Sequence, residues 1–255
     1  MKKEEYIQSF KEHKSLRLHI NRTDRRNGLG PTIAKALLSQ LEAAFDLAQV
    51  GAIHSLLITA ESHSQNQYTT WIAGGDLKEL AQLTHEDDVT DYIETMKGCC
   101  SILSDIPAVV IMAIDGVAIG GGAELALFSD IRIASLRSTI EFRQLSVGLP
   151  TGYGGAARLH SLVGLGHAQR LIWLRSPITA TEAKSLGLVH EVVDDTESLS
   201  TFCKQLMESF ASLPHEAIAA QKMMLEKTLP EVDATTLFTG CWRNPLHSKV
   251  LSSFE

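Results

Sequence analysis

Hydrophobic and polar positions along this chain fall into two periodicities. Lys14 to Ile20 alternates polar and apolar residues, the pattern of a half-buried strand. The turn-rich, basic segment Asn21 to Gly30 follows. Pro31 then stands where a first helical residue is favoured, ahead of Ile33, Leu37, Leu38, Leu41, Phe45 and Ala48 at helical spacing. His54 to Ala60 reads as a second strand and Glu61 to Thr70 as a polar loop. A helix is expected from near Asp76 and another over Asp87 to Leu103. Pro107 opens the strand Ala108 to Ile114, and Gly116 to Gly122 is a glycine-rich turn into a helix.

Ile131 to Ala134 and Thr139 to Phe142 suit short strands. The rest is mostly helical: Gly154–Leu162, His167–Trp173, Thr179–Leu186, Thr196–Ala211, His215–Lys227 and Val232–Phe254, interrupted by a strand over Leu188–Val193. Strands alternating with helices early, then helices late, predict an α/β core over residues 1–195 with a helical region over 196–255. No repeat or linker separates them into two independent domains.

Composition narrows the function classes. The 255 residues are 44% hydrophobic and 21% charged, enough to bury a sizeable core and incompatible with a disordered chain. With 23 Lys+Arg against 30 Asp+Glu the net charge is -7, the wrong sign for a surface that neutralises a phosphate backbone, so no nucleic-acid partner is expected. The charged opening segment lacks an apolar signal region, and the longest apolar run, from Ile106, stops at Asp115, short of the ~20 residues that span a bilayer. Cys99, Cys100, Cys203 and Cys241 form no C-x-x-C, and the ten histidines show no paired ligand spacing, so neither a disulfide framework nor a metal site is expected. Isolated thiols suit a reducing compartment. The expectation is a cytoplasmic globular protein.

Two glycine turns carry the candidate chemistry. In Ile114-Asp-Gly-Val-Ala-Ile-Gly-Gly-Gly-Ala-Glu-Leu125, three consecutive glycines cost backbone entropy and suggest a sharp turn or close approach to a ligand. They lead into a helix whose first N–H groups lack intrahelical partners, with Glu124 in or near its first turn. The same residues would also serve a close helix–strand contact with a glutamate complementing the helix dipole. Trp71-Ile-Ala-Gly-Gly-Asp-Leu-Lys78 repeats the arrangement, with Asp76 as cap. If the two turns converge, two N–H groups would point at one oxygen and favour developing negative charge there. No G-x-S-x-G elbow occurs, and Gly152-x-Gly154-x-x-Ala157 lacks the strand and acid of a dinucleotide loop.

Seven segments in order along the chain resemble the crotonase (enoyl-CoA hydratase/isomerase) superfamily. They are Asn21-Arg22 with Asn27-Gly28-Leu29; Ile72-Ala-Gly-Gly-Asp-Leu77; Asp115-Gly-Val-Ala-Ile-Gly-Gly-Gly-Ala-Glu-Leu-Ala126; Ser129-Asp-Ile-Arg-Ile-Ala134; Gly148-Leu-Pro-Thr-Gly-Tyr-Gly-Gly155; Leu162-Val-Gly164; and Ala183-Lys-Ser-Leu-Gly-Leu-Val189. The resemblance implies a spiral of repeated ββα units with a C-terminal helical region used in trimer assembly, as a homotrimer or a dimer of trimers. It also implies an acyl-CoA thioester substrate and no metal or redox cofactor, coenzyme A entering as part of the substrate. On this resemblance Gly75 and Gly121 supply the two N–H donors to a thioester enolate. Asp76, Leu77 and Lys78 line the acyl-CoA groove, and Arg22 and Arg26 are candidates for the CoA phosphates.

Hydratases of this family move a water with two glutamates. Glu124 matches the first; the second position, four residues before Gly148, is Gln144. Glutamine does not ionise and cannot exchange a proton as a carboxylate does. Glu141, three residues earlier on an extended segment, is expected to face the other way. The favoured expectation is an enoyl-CoA hydratase-like enzyme. The alternatives are a decarboxylase or isomerase on the same scaffold, favoured by Gln144 and slightly by Tyr153, and a weakly catalytic acyl-CoA- or RNA-binding relative.

Overall fold

A computed structural model describes residues 6–65, 68–226, 233–242 and 244–253. Two sheets stand side by side among these residues, and the chain spirals between them. The first sheet holds β1 (Ile7–Glu12), β2 (Ser15–Ile20), β3 (Ser55–Ala60), β6 (Val109–Ile114), β8 (Ile131–Ser135) and β11 (Glu191–Val193), in the order β1-β2-β3-β6-β8-β11. Only β1 runs antiparallel to its neighbour; the other pairings are parallel. The second sheet has the order β10-β9-β7-β5-β4, from β4 (His63–Gln65), β5 (Tyr68–Ile72), β7 (Val117–Ile119), β9 (Thr139–Glu141) and β10 (Ile178–Thr179).

Each turn of the spiral takes a strand from the first sheet, then one from the second, then a helix. β3 leads through β5 to α2 (Leu77–Leu80) and α3 (Glu86–Asp105); β6 through β7 to α4 (Gly121–Ala126); β8 through β9 to α5 (Gly155–Leu174). The first turn is abbreviated: β2 reaches α1 (Pro31–Gln49) through Leu29, which makes a single parallel bridge to Gly75. Central strands of the first sheet are buried on both faces, so β3 and β6 read as continuous apolar runs rather than alternating ones. Between the sheets and α1 and α3, the core is filled by Leu18, Ile20, Ile33, Leu37, Leu41, Ile58, Trp71, Met96 and Leu103.

The outer face of the first sheet carries a second cluster. Leu57, Ile111, Ala113 and Ile133 are covered by Leu199 and Cys203 of α7 (Thr196–Ala211). α8 (His215–Glu226) is anchored by Lys222, whose buried ammonium donates to Leu103 O (2.9 Å), Ala108 O (3.2 Å) and Asp130 (2.7 Å). The remaining helices are α6 (Ala180–Ser185), α9 (Ala234–Cys241) and α10 (Pro245–Ser252).

Several expectations are corrected. Glu61 to Thr70 is not simply a loop but carries β4 and the start of β5, an antiparallel pair too polar to show an apolar face in sequence. The glycine turn Gly116 to Gly122 contains β7, and β1 lies in a stretch read as merely charged. The two helices expected around Gly164 form one assigned element, broken where that glycine leaves helical geometry (φ 78°, ψ 162°). The strand read over Leu188–Val193 is shorter, Glu191–Val193. The helix expected over Val232–Phe254 is two, because Asn244 caps a new start at Pro245 through the His247 N–H (3.0 Å); Val232 and Phe254 lie outside the described residues, as does Lys227.

Candidate active site

The ends of β5 and β7 lie side by side, and each releases a glycine turn into a helix. Leu29 stitches the first turn in place: its N–H donates to Gly74 O (2.6 Å), and its carbonyl accepts from Asp76 N (3.2 Å). Gly74 has φ 84°, and a Cβ there would come within 2.7 Å of Ile119 O and 3.4 Å of Gly121 N. A side chain would therefore push the two turns apart, and glycine lets them meet. The second turn is held by Gly120, whose N–H donates to Glu141 O (2.7 Å) and whose φ of 52° aims the chain into α4. Gly121 is the first residue of that helix, so its N–H has no intrahelical acceptor. Among the described residues no carbonyl or side chain accepts from the Gly75 N–H either.

Both turns border a cavity of about 810 Å³. Its inner wall is buried, formed by Gly121, Glu124, Tyr92 and Tyr153, with half-buried Ile119 beside them. Its mouth is exposed and mixes cations (Arg25, Arg26, Lys78, Arg143) with apolar Leu77, Val147 and Leu149. Of the candidate residues, Gly75, Gly121, Asp76, Leu77, Lys78, Arg26, Glu124 and Gln144 all line this one cavity. Asp76 does so as the cap of α2, its Oδ1 accepting from Lys78 N (3.0 Å) and Glu79 N (3.4 Å).

Arg22 is corrected. It does not line the cavity. Its side chain is 5% exposed, pairs with Asp76 (2.9 Å) and with Glu79, and donates to Gly28 O (3.3 Å). Its guanidinium is buried between two carboxylates and away from the cavity mouth, where a phosphate would not reach it. It ties the loop after β2 to α2.

Glu124 is 1% exposed and accepts four N–H bonds. Oε1 takes Tyr153 N (2.5 Å) and Gly155 N (2.9 Å); Oε2 takes Gln144 Nε2 (3.0 Å) and Gly152 N (3.3 Å). Burial pushes its proton affinity up, the four donors pull it down, and burial wins, leaving the carboxyl above its ordinary range. A buried carboxylate with raised proton affinity is suited to exchanging a proton in catalysis. Gln144 stands on a 3-10 turn, Gln144–Val147, opposite α4. Its amide N donates to Glu124, while its buried Oε1 has no hydrogen-bond partner among the described residues. Glu141 does not line the cavity; it pairs with Arg143 (2.9 Å), which does.

Sequence reasoning missed Tyr92, Ile93 and Arg143. Tyr92 lies on the buried stripe of α3 with Met96 and Leu103, and a polar-tipped aromatic there was the available signal. Its hydroxyl donates to Leu29 O (2.8 Å) and its oxygen accepts from the Tyr153 hydroxyl (2.5 Å).

The chain belongs to the enoyl-CoA hydratase/isomerase family, whose model matches residues 15–240. Among curated proteins, it is 31% identical over 217 residues to the mouse (Mus musculus) "Enoyl-CoA hydratase domain-containing protein 2, mitochondrial", covering 84% of this chain and 70% of that one. It is 29% identical over 238 residues to the mouse "Methylglutaconyl-CoA hydratase, mitochondrial", covering 91% and 73%. A crystal structure of an enoyl-CoA hydratase from Bacillus anthracis superposes with a TM-score of 0.86 at 26% identity, covering 98% of this chain and 96% of that one. The fold is thus the crotonase spiral.

Proposed function

We propose that this enzyme transforms an acyl-CoA thioester through an enolate held by the Gly75 and Gly121 N–H groups, with hydration of an enoyl-CoA the best-supported reaction. The observation that carries this reading is the convergence of both glycine turns and Glu124 on one cavity. Negative charge forming on the thioester oxygen would find two backbone donors already in place, and removing one such donor typically costs ~10²–10³-fold in rate. Glu124 would exchange the proton. Arg25, Arg26, Lys78 and Arg143 at the mouth would meet the CoA phosphates, and Leu77, Val147 and Leu149 the pantetheine arm. Coenzyme A enters as part of the substrate, and the chemistry asks for no separate cofactor.

The second reading, decarboxylation or isomerisation, is favoured by Gln144. The group beside Glu124 is an amide already donating to it, not a second carboxylate. Enolate chemistry needs the two N–H donors, whereas two-carboxylate hydration needs the acid that is missing here.

Incubation with a panel of acyl-CoA thioesters, products identified by mass, tests both readings, with Gly121→Val as the companion variant. A side chain at Gly121 would meet the Tyr153 ring within 3.0 Å and obstruct the donor. Turnover should be abolished while the circular-dichroism spectrum is kept; near-normal activity would remove the oxyanion assignment. The apolar exposure of α9 and α10 supports a homotrimer or dimer of trimers. The free thiols of Cys99, Cys100, Cys203 and Cys241 support a reducing, cytoplasmic setting. No described helix is long and apolar enough to cross a membrane.

A further inference from the structure

We propose that Tyr153, braced by Tyr92, forms the floor of the acyl pocket and restricts this enzyme to short acyl thioesters; this rests on the acyl-CoA reading above. At three points along the Tyr153 side of the cavity, the wall is closed to an acyl chain starting from a thioester between Gly75 and Gly121. Between Gly121 and Tyr153, a methyl group added to the glycine would already lie 3.0 Å from both Cε2 and the hydroxyl of the ring. Between Tyr153 and Tyr92, the two hydroxyls are hydrogen-bonded at 2.5 Å, with the rings edge to face. Between Gly152 and α3, a methyl on the glycine would lie 3.2 Å from Ile93 Cδ1. A passing methylene needs ~3.5–4.0 Å to the carbon on either side, so none of these gaps admits one.

The floor is also stiff. The Tyr153 backbone N–H is fixed on Glu124 and its hydroxyl donates to Tyr92, whose own hydrogen is committed to Leu29 O. Both rings are buried, at 7% and 4% exposure. Burial raises the proton affinity of both phenols, so the pair stays neutral and bonded across the working pH range. Swinging Tyr153 aside would break a buried hydrogen bond and disturb the loop that holds Glu124. The ring therefore acts as a specificity-determining wall of the pocket.

Direct calorimetric titration of the purified protein with saturated acyl-CoAs, from acetyl to decanoyl, tests this without requiring turnover. Each methylene that finds a buried place raises affinity about fourfold. Affinity should climb to about butyryl-CoA and then stop rising or fall, with octanoyl- and decanoyl-CoA binding no tighter than butyryl-CoA. Tyr153→Ala should gain on the order of 10-fold or more for octanoyl- over butyryl-CoA. Tyr153→Phe, which keeps the ring, should retain the short-chain preference. A continuous rise in affinity through decanoyl-CoA in the unaltered protein would overturn the proposal whatever the variants do. So would a folded Tyr153→Ala that keeps the short-chain limit. No binding of any acyl-CoA would overturn the acyl-CoA reading together with this one, a pattern distinct from either.

Discussion

Gln144 and Glu124 form one proton-handling unit. Glu124 spends all four of its acceptor positions on N–H donors, and one of these is the Gln144 amide. An attacking water must displace a donor or find its place at the unpartnered Gln144 Oε1. Native crotonyl-CoA hydration should therefore be weak, and Glu124→Gln weaker still. Gln144→Glu should raise hydration by ~10-fold or more, since a positioned acid–base group typically contributes ~10²–10⁴-fold, as followed by the loss of enoyl absorbance. No gain, with decarboxylation of a malonyl-type thioester, would favour the second reading. The pH profile carries the same assignment. Burial raises the Glu124 proton affinity, so the carboxylate is lost as pH falls through a point above the ordinary glutamate range. The acid limb of kcat/KM should sit there, and in Gln144→Glu it should move higher still, because a second negative charge further disfavours ionisation. An acid limb at the ordinary glutamate value would contradict the assignment of Glu124 as the base.

Between elements, buried charges act as ties. Arg22 joins the loop after β2 to Asp76 and Glu79, at the cap and in the first turn of α2. Arg22→Met would leave the Asp76 and Glu79 carboxylates without their shared guanidinium, with only Arg25, 3.9 Å from Asp76, as a remaining cation among the described residues. Removing one partner of a buried ion pair typically costs about 3–5 kcal/mol, and the partial exposure of Glu79 places this case at the lower end. The expected signature is a lower midpoint in urea with KM for an acyl-CoA little changed in the folded fraction; a raised KM with unaltered stability would return Arg22 to phosphate binding. Sequence shows a basic turn, but whether an arginine faces solvent or two distant carboxylates depends on the pairing of Leu29 with Gly75, which only the fold creates. Periodicity, by contrast, located α1, α3 and α7 within about two residues, because each has a core-facing stripe and a local start signal.

Over the whole molecule, apolar surface is unevenly covered. α7 and α8 pack onto the outer sheet face and α3, whereas α9 and α10 expose Phe238 (60%), Trp242 (47%), Leu246, Val250 and Leu251. The Phe238 and Trp242 rings lie 5.5 Å apart, and exposed apolar side chains gathered in this way support the proposed assembly surface. Light scattering at micromolar concentration should give three or six times the chain mass, and a monodisperse monomer would contradict this. Trp242→Glu, placing a charge in that surface, should shift the population toward monomer.

The sequence by itself determined the alternation of strands and helices, the two glycine turns with Glu124 and Gln144, and membership of the family. These are local signals: hydrophobic period, conformational need for glycine, and residue order. The tertiary structure alone decided that Gly74 and Gly121 meet across two turns, that Arg22 pairs with Asp76 and Glu79, and that the Tyr92 and Tyr153 hydroxyls bond to each other. Each of these joins residues some 45–60 positions apart, and the free energy of such a contact depends on where the spiral brings the chain back, not on anything in the neighbouring sequence.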